Sequence, residues 1–341
     1  MRYRYRGYAG PVWLAFMPNW VGDFIMAFAS VDEFFGSFLL FGRASFYELI
    51  AGRYERSFYI EKSDKFVKDL FSIFRSKAYN SVLFPNSFSS ALIMVLGGMK
   101  KVVGLPTDFR SWLLTDRVEV EDFSDLHQAE VYRRILEPIG FRYSGPIKTR
   151  VYLKDEDVYW ALDFLKNIGF ERGNTVLIHP GASKRERCWP VDRYRVIVER
   201  LLKRGYNVII LGSKMEEDLG KALAEGLKGV LDLTSYGLPL GKLAAIILNG
   251  GFLFIGNDSG PIHIASCGVE RIVGIYGSSS PRKTGPVISE GTKFFPVTKN
   301  FKCSPCRERF FRDCESIKGY PPCIYEITVD DVWEVLNEAF I

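Results

Sequence analysis

The stretch FIGNDSGPIHIA, residues 254–265, decides the reading of the fold. An apolar strand runs out at Ile255. Gly256 and Gly260 then bracket Asn257, Asp258 and Ser259, and Pro261 stands where a first helical turn accepts proline, because no N–H is needed there. A buried strand that turns tightly into a helix is the repeating piece of a doubly wound α/β sheet. The free amides of such a loop and the helix dipole favour an anion, and Asp258, Ser259 and His263 add side-chain contacts. A capped helix with a packed histidine is the competing reading, since Asp and Ser are common caps.

Working outward, strands are expected at 175–179, 207–211, 230–233, 252–255 and 272–275. Helices fall between them at about 191–203, 216–225, 240–248 and 261–266. The first half alternates in the same way, with strands at 12–16, 37–41, 57–60, 81–84 and 101–103. Its helices are a first one from about Asp23, a short one near 43–50, then 64–75, 87–96 and 125–137. Such alternation implies mostly parallel sheets covered on both faces. Gly140, Gly145 and Pro146 make 140–154 irregular, and the helix 155–167 stops at Gly169. The division is therefore 1–154 and 155–341, the second domain carrying a Cys-rich segment at 303–323 and a terminal helix. Two doubly wound domains predict a cleft between them, a common place for ligands.

The chain has 341 residues, 47% apolar and 25% charged, with a net charge of +5. That charge is too small to point to nucleic acid, but it suits phosphates or an anionic membrane face. No apolar run approaches the roughly 18 residues of a membrane span. The start is basic and then apolar, yet Pro18, Asn19 and Trp20 stand where a signal peptide needs small residues. A cytoplasmic monomer is the expectation. Arg2, Arg4 and Arg6, set among tyrosines, form a basic head that either touches an anionic leaflet or is simply solvated.

Three further stretches carry chemistry. In IHPGASKRERCWP, residues 178–190, a strand breaks at Pro180–Gly181 and Lys184, Arg185 and Arg187 crowd one loop. Basic side chains over the carboxyl edge of a strand suit a pyrophosphate, and arginine can bind it with both prongs. A solvated charge run is the alternative. In MPNWVGDFIMA, residues 17–27, Gly22 permits a tight turn and Asp23 enters the first turn of a helix. Asp23 is either a general base or a cap. In KCSPCRERFFRDCESIKGYPPC, residues 302–323, Cys303, Cys306, Cys314 and Cys323 follow the spacing C-x2-C-x7-C-x8-C. They allow a structural zinc, two disulfides or reduced thiols. Cys188 and Cys267 read as lone thiols.

Taken together, these pieces resemble glycosyltransferase family 9, the bacterial heptosyltransferases of lipopolysaccharide core synthesis. The resemblance rests on PNWVGDFIMA (18–27), LFPNSFSSALIMVLGG (83–98), HPGASKRERCWP (179–190), VIILGSKMEE (208–217), NDSGPIHIASCGV (257–269) and YGSSSPRKTGP (276–286), in that order. The first two are most similar to the heptosyltransferase II branch. The resemblance implies a GT-B fold, with the donor on the C-terminal domain and the acceptor on the N-terminal one. It implies ADP-heptose as donor, heptosyl-Kdo2-lipid A as acceptor, and an inverting reaction that needs no cofactor or catalytic metal.

By the same resemblance Asp23 matches the family's proposed base. Arg187 matches a donor-phosphate position that usually holds Lys, with Lys184 beside it. Asp258, Ser259, Gly260 and His263 match the D-[ST]-G-x-x-H donor loop. Either Glu216 or Glu217 falls where the family has an acid near the nucleoside, and Asn86 and Ser87 fall in the acceptor half. Ser30 stands where the first helix often has Pro, and the N-terminal half is rich in Phe. The implied site of action is the cytoplasmic face of the inner membrane. The rival readings are a GT-B transferase of another nucleotide sugar, a nucleotide-sugar epimerase, and a non-catalytic protein that uses the Cys-rich segment to hold a partner. A nicotinamide oxidoreductase is disfavoured, because PNWVGD lacks the G-x-G-x-x-G turn.

Overall fold

The structure, a computed structural model, describes residues 13–63, 65–119, 125–299, 301–306 and 309–341. The basic head with Arg2, Arg4 and Arg6 lies outside these residues, as do Val12 and Asp64 at the expected starts of a strand and a helix. The chain divides into two compact units, Met1–Tyr152 and Leu153–Ile341. The boundary follows Tyr152 rather than residue 154 because the backbone of Tyr152 bonds to both Leu49 and Gly52 of the first unit.

In the first unit the strands are β1 (Trp13–Phe16), β2 (Phe38–Arg43), β3 (Tyr59–Lys62), β4 (Asn80–Leu83), β5 (Lys101–Gly104) and β6 (Asp116–Arg117). They form one sheet in the order β3-β2-β1-β4-β5-β6, every pairing parallel. The helices are α1 (Val21–Asp32), α2 (Phe66–Arg75), α3 (Phe88–Leu96) and α4 (Gln128–Leu136). Helix α1 is buried from Phe24 to Val31. That burial accounts for much of the phenylalanine: Phe24 packs on Phe28 and Phe46, and Phe28 meets Tyr54 and Tyr152 edge-on. Ser30 has its carbonyl bonded by the Tyr143 hydroxyl at 2.9 Å.

The second unit opens with α5 (Asp155–Asn167), and Gly169 follows it at a φ of 73°. Its strands are β7 (Thr175–His179), β8 (Asn207–Ile210), β9 (Val230–Asp232), β10 (Leu253–Asn257), β11 (Arg271–Ile275) and β12 (Lys293–Val297). These too form one parallel sheet, in the order β12-β11-β10-β7-β8-β9. The helices are α6 (Val191–Lys203), α7 (Glu217–Ala224), α8 (Leu240–Asn249), α9 (Gly260–Ala265), α10 (Pro281–Thr284), α11 (Pro322–Tyr325) and α12 (Val329–Ala339). The core gathers Val176, Ile178, Val208, Ile210, Ile255 and Val273 from the sheet, with Ile197 and Leu201 of α6 and Leu336 of α12 against it.

Each sheet has a strand that the apolar pattern does not announce. Strand β6 is only a polar pair, and β12 carries Pro296 and an exposed lysine. Both lie at sheet edges, where one side needs no partner and proline is tolerated. Strand order reverses beside β1 in the first sheet and beside β7 in the second. At such a switch point the connections leave in opposite directions and open a crevice at the strands' carboxyl ends.

Candidate functional site

In the second unit β7 and β10 flank the switch point, with His179 opposite Gly256. The loop after β7, which carries the basic cluster, is therefore beside the loop after β10. Asn257 ties the two together from full burial. Its Oδ1 accepts from the Trp189 backbone N–H at 3.1 Å and from the Tyr194 hydroxyl at 3.0 Å. Its Nδ2 donates to the Pro180 carbonyl at 2.6 Å and to that of Gly181 at 3.3 Å. Both ends of the amide are thus occupied, as a buried amide requires. Trp189 is pinned further by its indole N–H, which donates to the Ile327 carbonyl at 2.8 Å.

His179 forms a second link. Its Nδ1 lies 3.1 Å from the Ser259 hydroxyl and its Nε2 lies 3.4 Å from Glu216 Oε1. The other Glu216 oxygen accepts from Ser213 N at 2.7 Å and Ser213 Oγ at 2.8 Å. Burial pushes the Glu216 carboxyl up, but His179 and the Ser213 donors outweigh it and hold the pKa at about 2. Gly181 leaves the space this carboxylate fills: a Cβ there would stand 1.6 Å from Glu216 Oε1. Glu217 is not brought to this network. It starts α7 and pairs with Lys221 one turn on, at 2.7 Å. Of the two acids that the sequence leaves open, the sheet edge holds Glu216.

Lys184 and Arg187 stand on the loop stapled by Asn257. Asp258 faces Arg187 and is hydrogen-bonded to Ser279 and Thr284; burial nonetheless raises its pKa above the usual carboxylate value. Ser259 precedes α9, Gly260 begins it, and His263 is buried within it. The side-chain oxygen of Ser259 is directed to His179 rather than to a capping bond.

The Cys-rich segment borders the same edge. Ser304 Oγ donates to the carbonyls of Gly277 and Ser279 at 3.1 and 3.2 Å, and Cys306 N donates to the Ser278 carbonyl at 2.9 Å. Lys184 Nζ lies 5.8 Å from the centre of the Phe310 ring. Cys303, Cys306, Cys314 and Cys323 line one cavity of about 390 Å³, all as free thiols with no disulfide between them. Among the described residues no three His, Cys, Asp or Glu side chains are grouped so as to hold a metal ion. Burial, reinforced by the three neighbouring thiols, pushes Cys323 up to about 11.

In the first unit the strands flanking the switch point are β1 and β4. Asp23 sits in the first turn of α1, just beyond β1. Tyr132 of α4 donates its hydroxyl to Asp23 Oδ1 at 2.9 Å, and the Tyr132 ring lies edge-on against Phe84. Asn86 and Ser87 are exposed at the carboxyl end of β4. Their backbone is held from beneath by Arg110, which is fully buried. Arg110 Nη1 donates to the carbonyls of Pro85 at 2.5 Å and Ser87 at 3.3 Å, and to Ser90 Oγ at 2.9 Å, while Nε donates to Leu105 O at 2.9 Å. Thr107 Oγ1 donates to the Asn86 carbonyl at 3.2 Å, and Asp108 Oδ2 accepts from Phe88 N at 2.6 Å.

The family model of glycosyltransferase family 9 (heptosyltransferase) matches residues 67–312. The chain belongs to this family. Lipopolysaccharide heptosyltransferase 2 of Escherichia coli strain K12 is 25% identical over 284 residues, which cover 78% of this chain and 77% of that protein. The solved structure of E. coli ADP-heptose lipopolysaccharide heptosyltransferase II aligns at a TM-score of 0.74 and 20% identity, covering 96% of this chain and 98% of that one. A glycosyl transferase family 9 structure from Veillonella parvula aligns at 0.77 and 16% identity, covering 96% and 97%. The fold class is the expected GT-B class of two Rossmann-like domains.

In this family 9 glycosyltransferase the residues that motif reading passes over are His179, Asn257, Tyr132 and Arg110. His179 and Asn257 lie inside quoted motifs, HPG and NDSG, and their use as cross-links is the missing part. Tyr132 and Arg110 carry no local signal, because their partners are distant in sequence.

Proposed function

We propose that this glycosyltransferase moves heptose from ADP-heptose onto the heptosyl-Kdo2-lipid A inner core of lipopolysaccharide, with inversion and without a metal. One observation carries the reading. At the switch point of the second sheet, Lys184, Arg187, Asp258 and Glu216 are gathered on loops cross-linked by Asn257 and His179. That set suits a nucleoside diphosphate: cations for the phosphates, and an ionised acceptor for ribose hydroxyls. The names of the E. coli relatives support ADP-heptose as donor and lipopolysaccharide as the kind of acceptor.

In the proposed reaction the acceptor hydroxyl attacks the anomeric carbon opposite the leaving ADP. A new C–O bond forms as the bond to the β-phosphate oxygen breaks. Asp23, oriented by Tyr132, takes the hydroxyl proton. Negative charge grows on the departing diphosphate, and Lys184 and Arg187 meet it, which is the part a divalent ion plays in other transferases. With a lipid-borne acceptor, the proposed site of reaction is the cytoplasmic face of the inner membrane. Among the described residues no helix is long and apolar enough to cross a membrane.

Calorimetric titration with ADP, GDP and UDP, with and without EDTA, tests the donor half. ADP is expected to bind best, EDTA to change nothing, and Arg187→Ala to weaken binding about tenfold or more. Equal affinity for the three nucleotides removes the heptose assignment, and loss of binding or transfer in EDTA removes the metal-free reading. Asp23→Ala is expected to lower transfer by about 10²–10⁴ with ADP binding retained.

A further inference from the structure

Helix α2 of the first unit has three faces. Leu70 and Ile73 pack inward against the sheet, and Asp69 is buried with them. Val67, Phe71 and Phe74 recur at i, i+4 and i+7, which is a single helical stripe. That stripe is turned to solvent: the three side chains are 65%, 64% and 68% exposed. Folding of a single unit gives no reason to leave two phenylalanines in water on one stripe, and such exposed patches mark interaction surfaces.

The stripe is extended and bordered in a particular way. The carboxyl end of α3 lies directly on α2, since a Cβ at Gly97 would meet Ile73 Cγ2 at 2.5 Å. This brings Leu96, 55% exposed, alongside. Lys68 and Arg75 line the polar border of the α2 stripe, and both are exposed, as is Lys77 beyond the helix end. Lys100 lies 5.5 Å from the ring centre of exposed Tyr79. From residue 65 to residue 79 the one acid is Asp69, and it is turned inward to accept from Ser63 N at 2.6 Å.

We infer that the outer face of α2 with the end of α3 is a membrane-docking surface for anionic lipid. Val67, Phe71, Phe74 and Leu96 enter the acyl boundary, while Lys68, Arg75, Lys77 and Lys100 meet the headgroup charge. An apolar stripe edged by cations, with a tyrosine at the rim, is the pattern that lies flat in a bilayer interface. Ser72 lies between Lys68 and Arg75 with its hydroxyl donated to the Lys68 carbonyl at 3.0 Å, and the exposed charged side chains from residue 65 to residue 79 are all cationic, which fits an anionic leaflet. The stripe holds none of the residues assigned to the transfer site, and docking there shares with the proposed function only the premise of a lipid-borne acceptor.

The test is co-sedimentation of the full chain with vesicles of phosphatidylcholine alone and with added phosphatidylglycerol. The protein is expected to partition onto the anionic vesicles, less so at high salt. Phe71→Ser with Phe74→Ser is expected to reduce partitioning at least about tenfold. Lys68→Glu with Arg75→Glu is expected to abolish the preference for phosphatidylglycerol, each basic side chain being worth about fivefold. Circular dichroism and ADP titration check that the variants fold. Equal partitioning of the wild type and the phenylalanine variant overturns the inference, as does wild type that ignores anionic vesicles. Sedimentation velocity without lipid is the third arm: dimers that the phenylalanine variant breaks would make a second copy of the chain the occupant. Transfer onto a deacylated, water-soluble acceptor separates the two readings. Both variants are expected to keep wild-type rates there, and failure of the wild type in that assay counts against the proposed function, leaving docking to the vesicle result.

Discussion

Replacing Asn257 with alanine removes one side chain but strands several groups. The Trp189 N–H, the Tyr194 hydroxyl and the Pro180 carbonyl all bond to that amide, and it is fully buried. Each buried polar group left without a partner costs about 1–3 kcal/mol. Some relaxation and an entering water recover part of this, so a net loss of about 3–5 kcal/mol is expected. The loss is concentrated in loop 180–189, which carries Lys184 and Arg187. Hydrogen exchange read by mass spectrometry on peptides from that loop is the direct assay. A local loss of about 3 kcal/mol corresponds to roughly a hundredfold faster exchange, at 1.4 kcal/mol per decade. Tyr194→Phe is the control, since it deletes one bond and leaves the amide its other partners, for about 1 kcal/mol. The double variant should cost less than the sum, because the hydroxyl has no bond left to lose. If Asn257→Ala exchanges within threefold of the wild type, the amide does not hold the loop and the reasoning fails.

Tyr132→Phe should lower kcat about tenfold or more with little change in the donor KM, because it removes a charge-assisted bond to Asp23, a residue of the same unit, and leaves the proposed donor residues of the second unit as they are; steady-state kinetics on both substrates checks this. Glu216→Gln and Glu217→Gln should differ sharply in ADP titration, with Glu216→Gln losing affinity and Glu217→Gln, which loses a surface ion pair only, close to wild type. Glu216 also sets a pH dependence: its folded pKa of about 2 lies below the unfolded value, so its stabilisation is present above about pH 5 and is lost as pH falls towards 2. Thermal melts across that window should show the difference between wild type and Glu216→Gln shrinking with acid. Arg110→Ala should lower the melting temperature of the first unit through a loss of about 3–5 kcal/mol, with Arg110→Lys a poor rescue, since one ammonium cannot reproduce a fork that reaches Pro85, Ser90 and Leu105 at once.

What could be read from the sequence follows from what is local. The strand at 175–179 and the helix at 191–203 are announced by uninterrupted apolar runs and by helical periodicity, and they occupy those residues. Strands β6 and β12 are held by backbone pairing at an edge, with little burial to mark them. The motif loops fall beside the switch points because strand order puts them there. That Glu216 rather than Glu217 meets His179 depends on the hollow at Gly181, 35 positions earlier, which spacing does not reveal. Tyr132 reaches Asp23 across 109 residues and Asn257 reaches Trp189 across 68, so each pairing is a product of the finished fold.

The fastening of Trp189 has a consequence for synthesis. Its indole bonds to the carbonyl of Ile327, and the Arg193 guanidinium reaches the same carbonyl and that of Tyr325. A chain still on the ribosome therefore has its basic loop in sequence long before it has the backbone that anchors the loop. The second sheet can assemble as its strands emerge, but the anchored arrangement has to wait until residues 325–327 clear the exit tunnel. Nascent chains and truncations that stop short of this point would present the cations on a loop held by Asn257 but without this second fastening.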